Sequence, residues 1–106
     1  MTNSDNKPGT IESVDTEESA KSGFYPRWKV LMHNDDKTHM DFVIGVLTNI
    51  FGVETQQAVK IMWEIHTRDV GLAGVFPKEQ AEFRIEQSHS LARTQGFPLT
   101  CSMEEE

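Results

Sequence analysis

The strongest constraint on the fold is a change in hydrophobic period between residues 28 and 51. Trp28, Val30 and Met32 alternate with more polar positions, which predicts a half-buried strand that ends at His33. After a polar stretch, apolar residues recur at helical spacing from Met40 onwards, as on one face of a helix. The predicted apolar face of this helix comprises Met40, Val43, Ile44, Leu47, Ile50 and Phe51.

The polar stretch between this strand and this helix has the composition of a turn. Asn34, Asp35 and Asp36 are residues whose short side chains bond to their own backbone. Thr38 suits the N-cap of the helix, and Asp41, three residues later, imitates a capping box. We therefore expect two carboxylates near the positive end of a helix, although turns favour such residues whatever their function.

Two further helices follow the same rules. A helix beginning near Glu54 or Thr55, after a left-handed stop at Gly52, has a narrow apolar stripe. Pro77 suits the first turn of a polar helix over residues 78–93, which Gly96 and Pro98 terminate. The stripe of the second helix comprises Ala58, Ile61, Met62 and Ile65; that of the third comprises Ala81, Ile85, Ser88 and Ala92.

Two more strands complete the pattern. Residues 69–76 read as a strand, in which Gly71 and Gly74 indicate a bulge or a close backbone approach. Leu99, Cys101 and Met103 alternate in a short last strand. The order β-α-α-β-α-β predicts an α+β two-layer sandwich, with three helices on one face of a small mixed or antiparallel three-stranded sheet. The sequence leaves the strand order open.

The ends of the chain carry most of its formal charge of -7. Residues 1–23 are polar and acidic and too poor in apolar residues to form a core, so we expect a disordered tail before a domain over residues 24–106. We expect no membrane segment, and the scattered Lys and Arg residues argue against nucleic-acid binding. The absence of a leader-like segment and the single Cys101, read as a packed thiol, favour a cytoplasmic protein.

The spacing of several motifs resembles that of the Clp protease adaptor ClpS family, from about Trp28 to the C-terminal acids. The motifs are Asn34-Asp35-Asp36-x-Thr38-x-Met40-x-Phe42-Val43, then Met62 before Ile65-His66, then Gly74-Val75-Phe76, then Pro98-Leu99-x-Cys101. The resemblance implies a non-enzymatic, monomeric adaptor without a cofactor. Such an adaptor binds substrates with N-terminal Phe, Tyr, Trp or Leu and delivers them to the N-terminal domain of a Clp AAA+ unfoldase.

The resemblance also implies roles for individual residues. The α-amino group would be bound by Asn34, Asp35 and His66, with Asp36 supporting the loop or acting through water. The unfoldase would dock on Glu79 and Arg84, the latter at a position where Lys is commoner. The side-chain pocket would be walled by Thr38, Met40, Val43, Met62, Ile65 and Leu99.

The chemistry of these residues supports this interpretation independently. An α-amino group with a pKa of about 8 is mostly a cation near neutrality. Its desolvation requires acceptors and negative charge, which the Asn-Asp-Asp turn and a neutral His66 can supply. Met40 and Met62 add polarizable thioethers suited to aromatic rings.

Simpler interpretations exist for the same residues. Met40, Val43, Met62 and Ile65 have the spacing of core residues, and His66 suits any helix C-terminus. Three apolar residues off the main stripes are expected to be partly exposed or in a contact surface: Val59, Trp63 and Phe83.

Two alternatives to the adaptor remain open. Lys37 and His39 stand where the family usually has an aromatic residue and Pro, so the chain could be an interaction module of the same fold with altered or lost specificity. Metal binding is the second alternative, although no paired-ligand spacing supports it. Its candidate ligands are His33, Asp35, Asp36, His39 and His66.

Overall fold

The computed structural model describes residues 26–106, and the tail predicted for residues 1–23 lies outside this range. The described part contains six elements in the predicted order. They are β1 (Arg27–His33), α1 (Met40–Asn49), α2 (Thr55–Arg68), β2 (Val70–Pro77), α3 (Lys78–Gln95) and β3 (Thr100–Glu105). No helix within this range is both long and apolar enough to cross a membrane.

The three strands form one antiparallel sheet in the order β2-β1-β3. The first strand is therefore central, and its inward residues Val30 and Met32 are fully buried. The helices α2 and α3 pack on the sheet, and α1 packs against α2, so the predicted α+β two-layer fold is confirmed.

The sequence indicated a bulge or a close backbone approach in β2, and the strand contains both. The pairing with β1 shifts between Val30 and Leu31, so that Ala73 is an extra residue in β2 and forms a bulge. At Gly71 the strand approaches α2 so closely that an added Cβ would lie 2.7 Å from Cγ1 of Ile65. Only a residue without a side chain lets α2 lie this near the sheet.

The buried faces of α2 and α3 follow the predicted stripes except that Ile85 is only partly buried, whereas in α1 Met40 is exposed and Ile44 is only partly buried. The α2 stripe is buried as predicted, whereas α1 also buries Val46, which the sequence analysis omitted. The buried face of α1 consists of Val43, Val46 and Leu47. The helix ends at Asn49, so Ile50, which was predicted to lie on this face, is its C-cap residue. Gly52 follows with the predicted left-handed φ of +70°.

The helix starts differ from the prediction at two positions. Pro77 is the N-cap of α3 and not its first residue. Helix α1 begins at Met40 with His39 as the N-cap residue, and no side chain caps it. Thr38, the predicted N-cap, instead donates its hydroxyl to Asp35 at 2.7 Å. Thr38 therefore precedes the N-cap position, and its hydroxyl stabilises the loop through a charge-assisted hydrogen bond.

The last strand is tied to α3 by a side chain. Nε2 of His89 accepts a hydrogen bond from the backbone N–H of Cys101 at 2.9 Å. Cys101 is buried, and burial raises the pKa of its thiol to about 12 despite a hydrogen bond with Ser88. The thiol therefore stays protonated near neutrality, in agreement with the packed, unreactive role that the sequence predicted.

Candidate functional site

A cavity of about 270 Å³ opens between the β1–α1 loop, the start of α1 and the last turns of α2. Its lining combines exposed polar residues with buried apolar ones. The full lining consists of Asn34, Asp35, Asp36, Thr38, Met40, Val43, Met62, Ile65 and His66. These are all of the residues that the sequence analysis assigned to a binding site for an amino terminus, with the exception of Leu99.

Leu99 is buried in the hydrophobic core and is not among the residues that line the cavity. Its side chain is only 5% exposed, immediately before β3, and belongs to the buried cluster that includes Met32 and Cys101. The alternation of Leu99, Cys101 and Met103 indicated one inward face, but it could not show which part of the interior that face reaches. The structure thus does not bring Leu99 to the cavity with the other nine residues.

Hydrogen bonds to the side chain of Asp35 stabilise the conformation of the β1–α1 loop. One carboxylate oxygen accepts hydrogen bonds from the backbone N–H groups of Lys37 and Thr38, at 2.8 and 2.7 Å, and the other accepts the Thr38 hydroxyl. Asn34 is held from the other side, because its N–H donates to the carbonyl of Asp69 at 2.9 Å. Asp69 itself has a φ of +74° at the C-cap of α2, which brings the two loops together.

These hydrogen bonds keep Asp35 ionised. Burial raises the pKa of its carboxyl group, but the bonds from Thr38 and Lys37 outweigh burial, and the net pKa is lowered. A carboxyl group whose pKa is lower in the folded than in the unfolded protein stabilises the fold at pH values above its unfolded-state pKa. This stabilisation is lost as the pH falls through the folded-state pKa. Asp35 is therefore a fixed negative charge at the cavity throughout the neutral range.

The depth of the cavity is apolar and its mouth is polar. Val43, Met62 and Ile65 are buried walls contributed by α1 and α2. Asn34, Asp36 and His66 are exposed, and Met40 is 38% exposed at the first position of α1. The arrangement can therefore place acceptors around a cation at the rim while an apolar group enters below.

Of the five candidate metal ligands, Asp35, Asp36 and His66 line this cavity, whereas His33 and His39 do not. Nε2 of His33 lies 2.7 Å from Oγ of Ser102, and the ring of His39 packs on Phe97 with centroids 4.8 Å apart. Within residues 26–106 no three His, Cys, Asp or Glu side chains come close enough to hold an ion. The geometry therefore gives no support to the metal-binding alternative.

A comparison with protein families identifies the family to which this fold belongs. The family model of the ATP-dependent Clp protease adaptor protein ClpS matches residues 25–102. This chain belongs to the ClpS family. The ClpS relative from Desulfatibacillum aliphaticivorans is 50% identical over 96 residues, which cover 91% of this chain and 92% of the relative. The relative from Oleidesulfovibrio alaskensis is 46% identical over 104 residues, covering 96% and 98%.

A solved ClpS structure has the same fold. It is Agrobacterium tumefaciens ClpS2 bound to L-phenylalaninamide, with a TM-score of 0.73 and 28% identity, covering 76% of this chain and 98% of that protein. The ClpS relatives are named adapters of the ATP-dependent Clp protease, which indicates a non-enzymatic role for the family.

The two residues that the ClpS resemblance assigned to docking lie on α3, outside the cavity lining. Glu79 is exposed in the first turn. Arg84 is half-buried, with its guanidinium carbon 4.6 Å from the centre of the Phe76 ring. Its Nε is buried and has no hydrogen-bond partner among residues 26–106. Stacking thus holds the guanidinium in one orientation.

One aromatic residue contacts the cavity lining without belonging to it and was not assigned to the site from the sequence. Trp63 packs edge-on against His66, with ring centroids 5.7 Å apart and planes at 82°. The signal was present as a spacing of three residues, which places two side chains side by side on a helix. The sequence analysis described Trp63 only as partly exposed or as contact surface.

Proposed function

We propose that this protein is an N-degron adaptor. It binds the free α-amino group and the bulky apolar first side chain of a substrate, and it delivers that substrate to a Clp AAA+ unfoldase. The observation that carries the proposal is the single cavity in which an ionised Asp35, with Asn34 and His66, adjoins the buried walls of Val43 and Met62.

The size and chemistry of the cavity support one side chain and one amine as the ligand. Cavities for drug-sized ligands typically hold roughly 300–1,000 Å³, and this one has about 270 Å³. The ligand of the Agrobacterium relative, L-phenylalaninamide, has a free α-amino group and a benzyl side chain. Both groups have a complementary surface here, because acceptors lie at the mouth and methionine and aliphatic side chains lie in the wall.

The proposal is tested by a fluorescence-anisotropy titration with peptides that differ only in the first residue. Peptides beginning with Phe, Tyr, Trp or Leu are expected to bind at least about tenfold more tightly than those beginning with Ser or Glu. This factor is the lower end of what burying one large apolar side chain contributes. Binding that does not depend on the first residue would contradict the proposal and favour the interaction module of altered specificity.

Delivery is assigned to Glu79 and Arg84 on α3. The double variant Glu79→Ala with Arg84→Ala is expected to keep its affinity for a Phe-initiated peptide within about twofold, because neither residue lines the cavity. It is expected to lose binding to the unfoldase and to stop degradation of a Phe-initiated reporter. Peptide binding and reporter degradation, measured on the same preparation, separate the two steps.

The matched control for delivery is another acid and arginine on the same helix. Glu86 and Arg93 form an exposed ion pair at 3.7 Å, and such pairs contribute little to stability. Replacing both by Ala should leave degradation unchanged. If this control loses degradation to the same extent, α3 acts through its overall charge and the specific docking assignment is wrong.

A further inference from the structure

Trp63 is a large aromatic residue on the solvent side of α2. It is 50% exposed, whereas the buried stripe of the helix consists of Ala58, Ile61, Met62 and Ile65. The residues on either side of Trp63 in space are polar, among them Lys60, Glu64 and Thr67, which are all exposed. Burial in the core therefore does not explain the position of this indole, and its packing partner is the ring of His66.

The position of His66 places Trp63 beside the path of a bound chain. If the first side chain enters between Met62 and Ile65 and its amine meets Asn34 and Asp35, the first carbonyl lies at the mouth of the cavity. The second residue then lies outside the mouth, where the exposed ring of His66 forms part of the rim. Trp63 touches that ring and extends the rim outward.

We infer that Trp63 forms a subsite for the second residue of the bound amino terminus, with selectivity for planar side chains, aromatic or guanidinium. This inference rests on the proposed N-degron function and extends it from one residue to two. The indole offers a flat π-surface that is already half-exposed. Stacking on such a surface does not require the subsite to be closed.

The charges around the subsite favour arginine among the planar side chains. Trp is the best aromatic partner for a cation. Asp35 and Asp36 at the mouth, together with the exposed Glu64 beside Trp63, supply negative charge. Lys37, exposed in the same loop, and Lys60, exposed one turn before Trp63 on α2, oppose this charge in part. Arginine and tyrosine at the second position should therefore both bind better than glycine, and arginine should bind best.

The test compares free-amine peptides that begin Phe-Gly, Phe-Tyr and Phe-Arg and are otherwise identical, in the same anisotropy assay with the full chain. Phe-Tyr and Phe-Arg should bind about two- to fivefold more tightly than Phe-Gly, the usual gain from stacking at an exposed site. In Trp63→Ala the ratio of Phe-Tyr to Phe-Gly affinity should fall to about one and the ratio of Phe-Arg to Phe-Gly affinity should shrink, whatever change the loss of the His66 contact causes in Phe-Gly affinity itself. Trp63→Phe should restore part of the Tyr advantage.

The matched control is another exposed aromatic residue. Phe83 on α3 is 61% exposed and lies outside the cavity lining, so Phe83→Ala should keep all three affinities and their ratios. A second measurement uses the unaltered protein, which has only two tryptophans. One of its two indole N–H signals in an NMR titration should shift further with Phe-Tyr than with Phe-Gly.

Two outcomes would overturn the subsite. In one, the three peptides bind the unaltered protein equally and the indole signals respond equally. In the other, Trp63→Ala keeps the full advantage of Tyr. In both cases Phe-Gly still binds, so the proposed function stands while the inference falls. If no free-amine peptide binds at all, the proposed function itself fails.

Discussion

N-terminal acetylation of a Phe-initiated peptide is expected to weaken its binding by at least about 100-fold. Acetylation removes the positive charge and donors of the amine and leaves the acceptors at the mouth without a partner. Hydrogen bonds to charged groups contribute about 1.5–3 kcal/mol each, so the loss of two reaches this factor. The measurement is competition of acetylated and free peptides for the same fluorescent probe, and equal affinities would overturn the adaptor function.

Variants of Asp35 separate its charge from its role in the loop. Asp35→Ala removes the carboxylate that accepts from Lys37 and Thr38, so it should lose both the charge and the shape of the mouth. Asp35→Asn keeps one acceptor oxygen for those N–H groups but loses the charge and the acceptor of the Thr38 hydroxyl. Both variants should weaken binding of the free amine, and Asp35→Ala should weaken it more.

Asp41 provides the matched acid for this comparison. It is exposed in the first turn of α1, six residues further along the chain, and does not line the cavity. Asp41→Ala and Asp41→Asn should therefore change peptide affinity by less than about threefold, the scale of an exposed charge effect. If Asp41→Ala is as damaging as Asp35→Ala, general negative charge and not the loop binds the amine.

Met40→Ala is expected to admit peptides that begin with Val or Ile. These side chains branch at Cβ, next to the α-carbon and amine, and Met40 stands at the loop–helix junction on the cavity wall. Truncation removes the side chain that the branch would meet. We expect the affinity for peptides that begin with Val or Ile to rise about tenfold or more, which corresponds to the free energy of burying one such side chain. The affinity for Phe peptides should fall by a smaller factor.

The exposure of Met40 makes this test decisive. Because the side chain is 38% exposed, its truncation should cost less stability than the loss of a fully buried methionine such as Met32. Met103→Ala on β3 is the matched truncation outside the cavity and should leave the first-residue preference unchanged. If Met40→Ala folds and still excludes Val and Ile, Met40 is not the residue that excludes β-branched first residues.

The sequence by itself determined the order and type of all six elements. Alternation at Trp28, Val30 and Met32 and the helical spacing in α2 are local consequences of backbone geometry, which acts over one or two turns. The left-handed stop at Gly52 followed from glycine conformation for the same reason. The nine cavity residues were named through the resemblance to the ClpS family, and the structure brings them together from one loop and two helices.

The tertiary structure decided what depends on contacts distant in the chain. The order β2-β1-β3 rests on pairing β1 with strands that lie far from it in sequence, which no local period specifies. Whether Leu99 lines the cavity or another part of the core depends in the same way on where the segment before β3 packs. Thr38 bonds to Asp35 and does not cap α1 because the helix begins one residue later than predicted, with His39 at the N-cap, and only the folded loop shows this. Likewise, Trp63 meets the rim because α2 turns His66 toward the mouth.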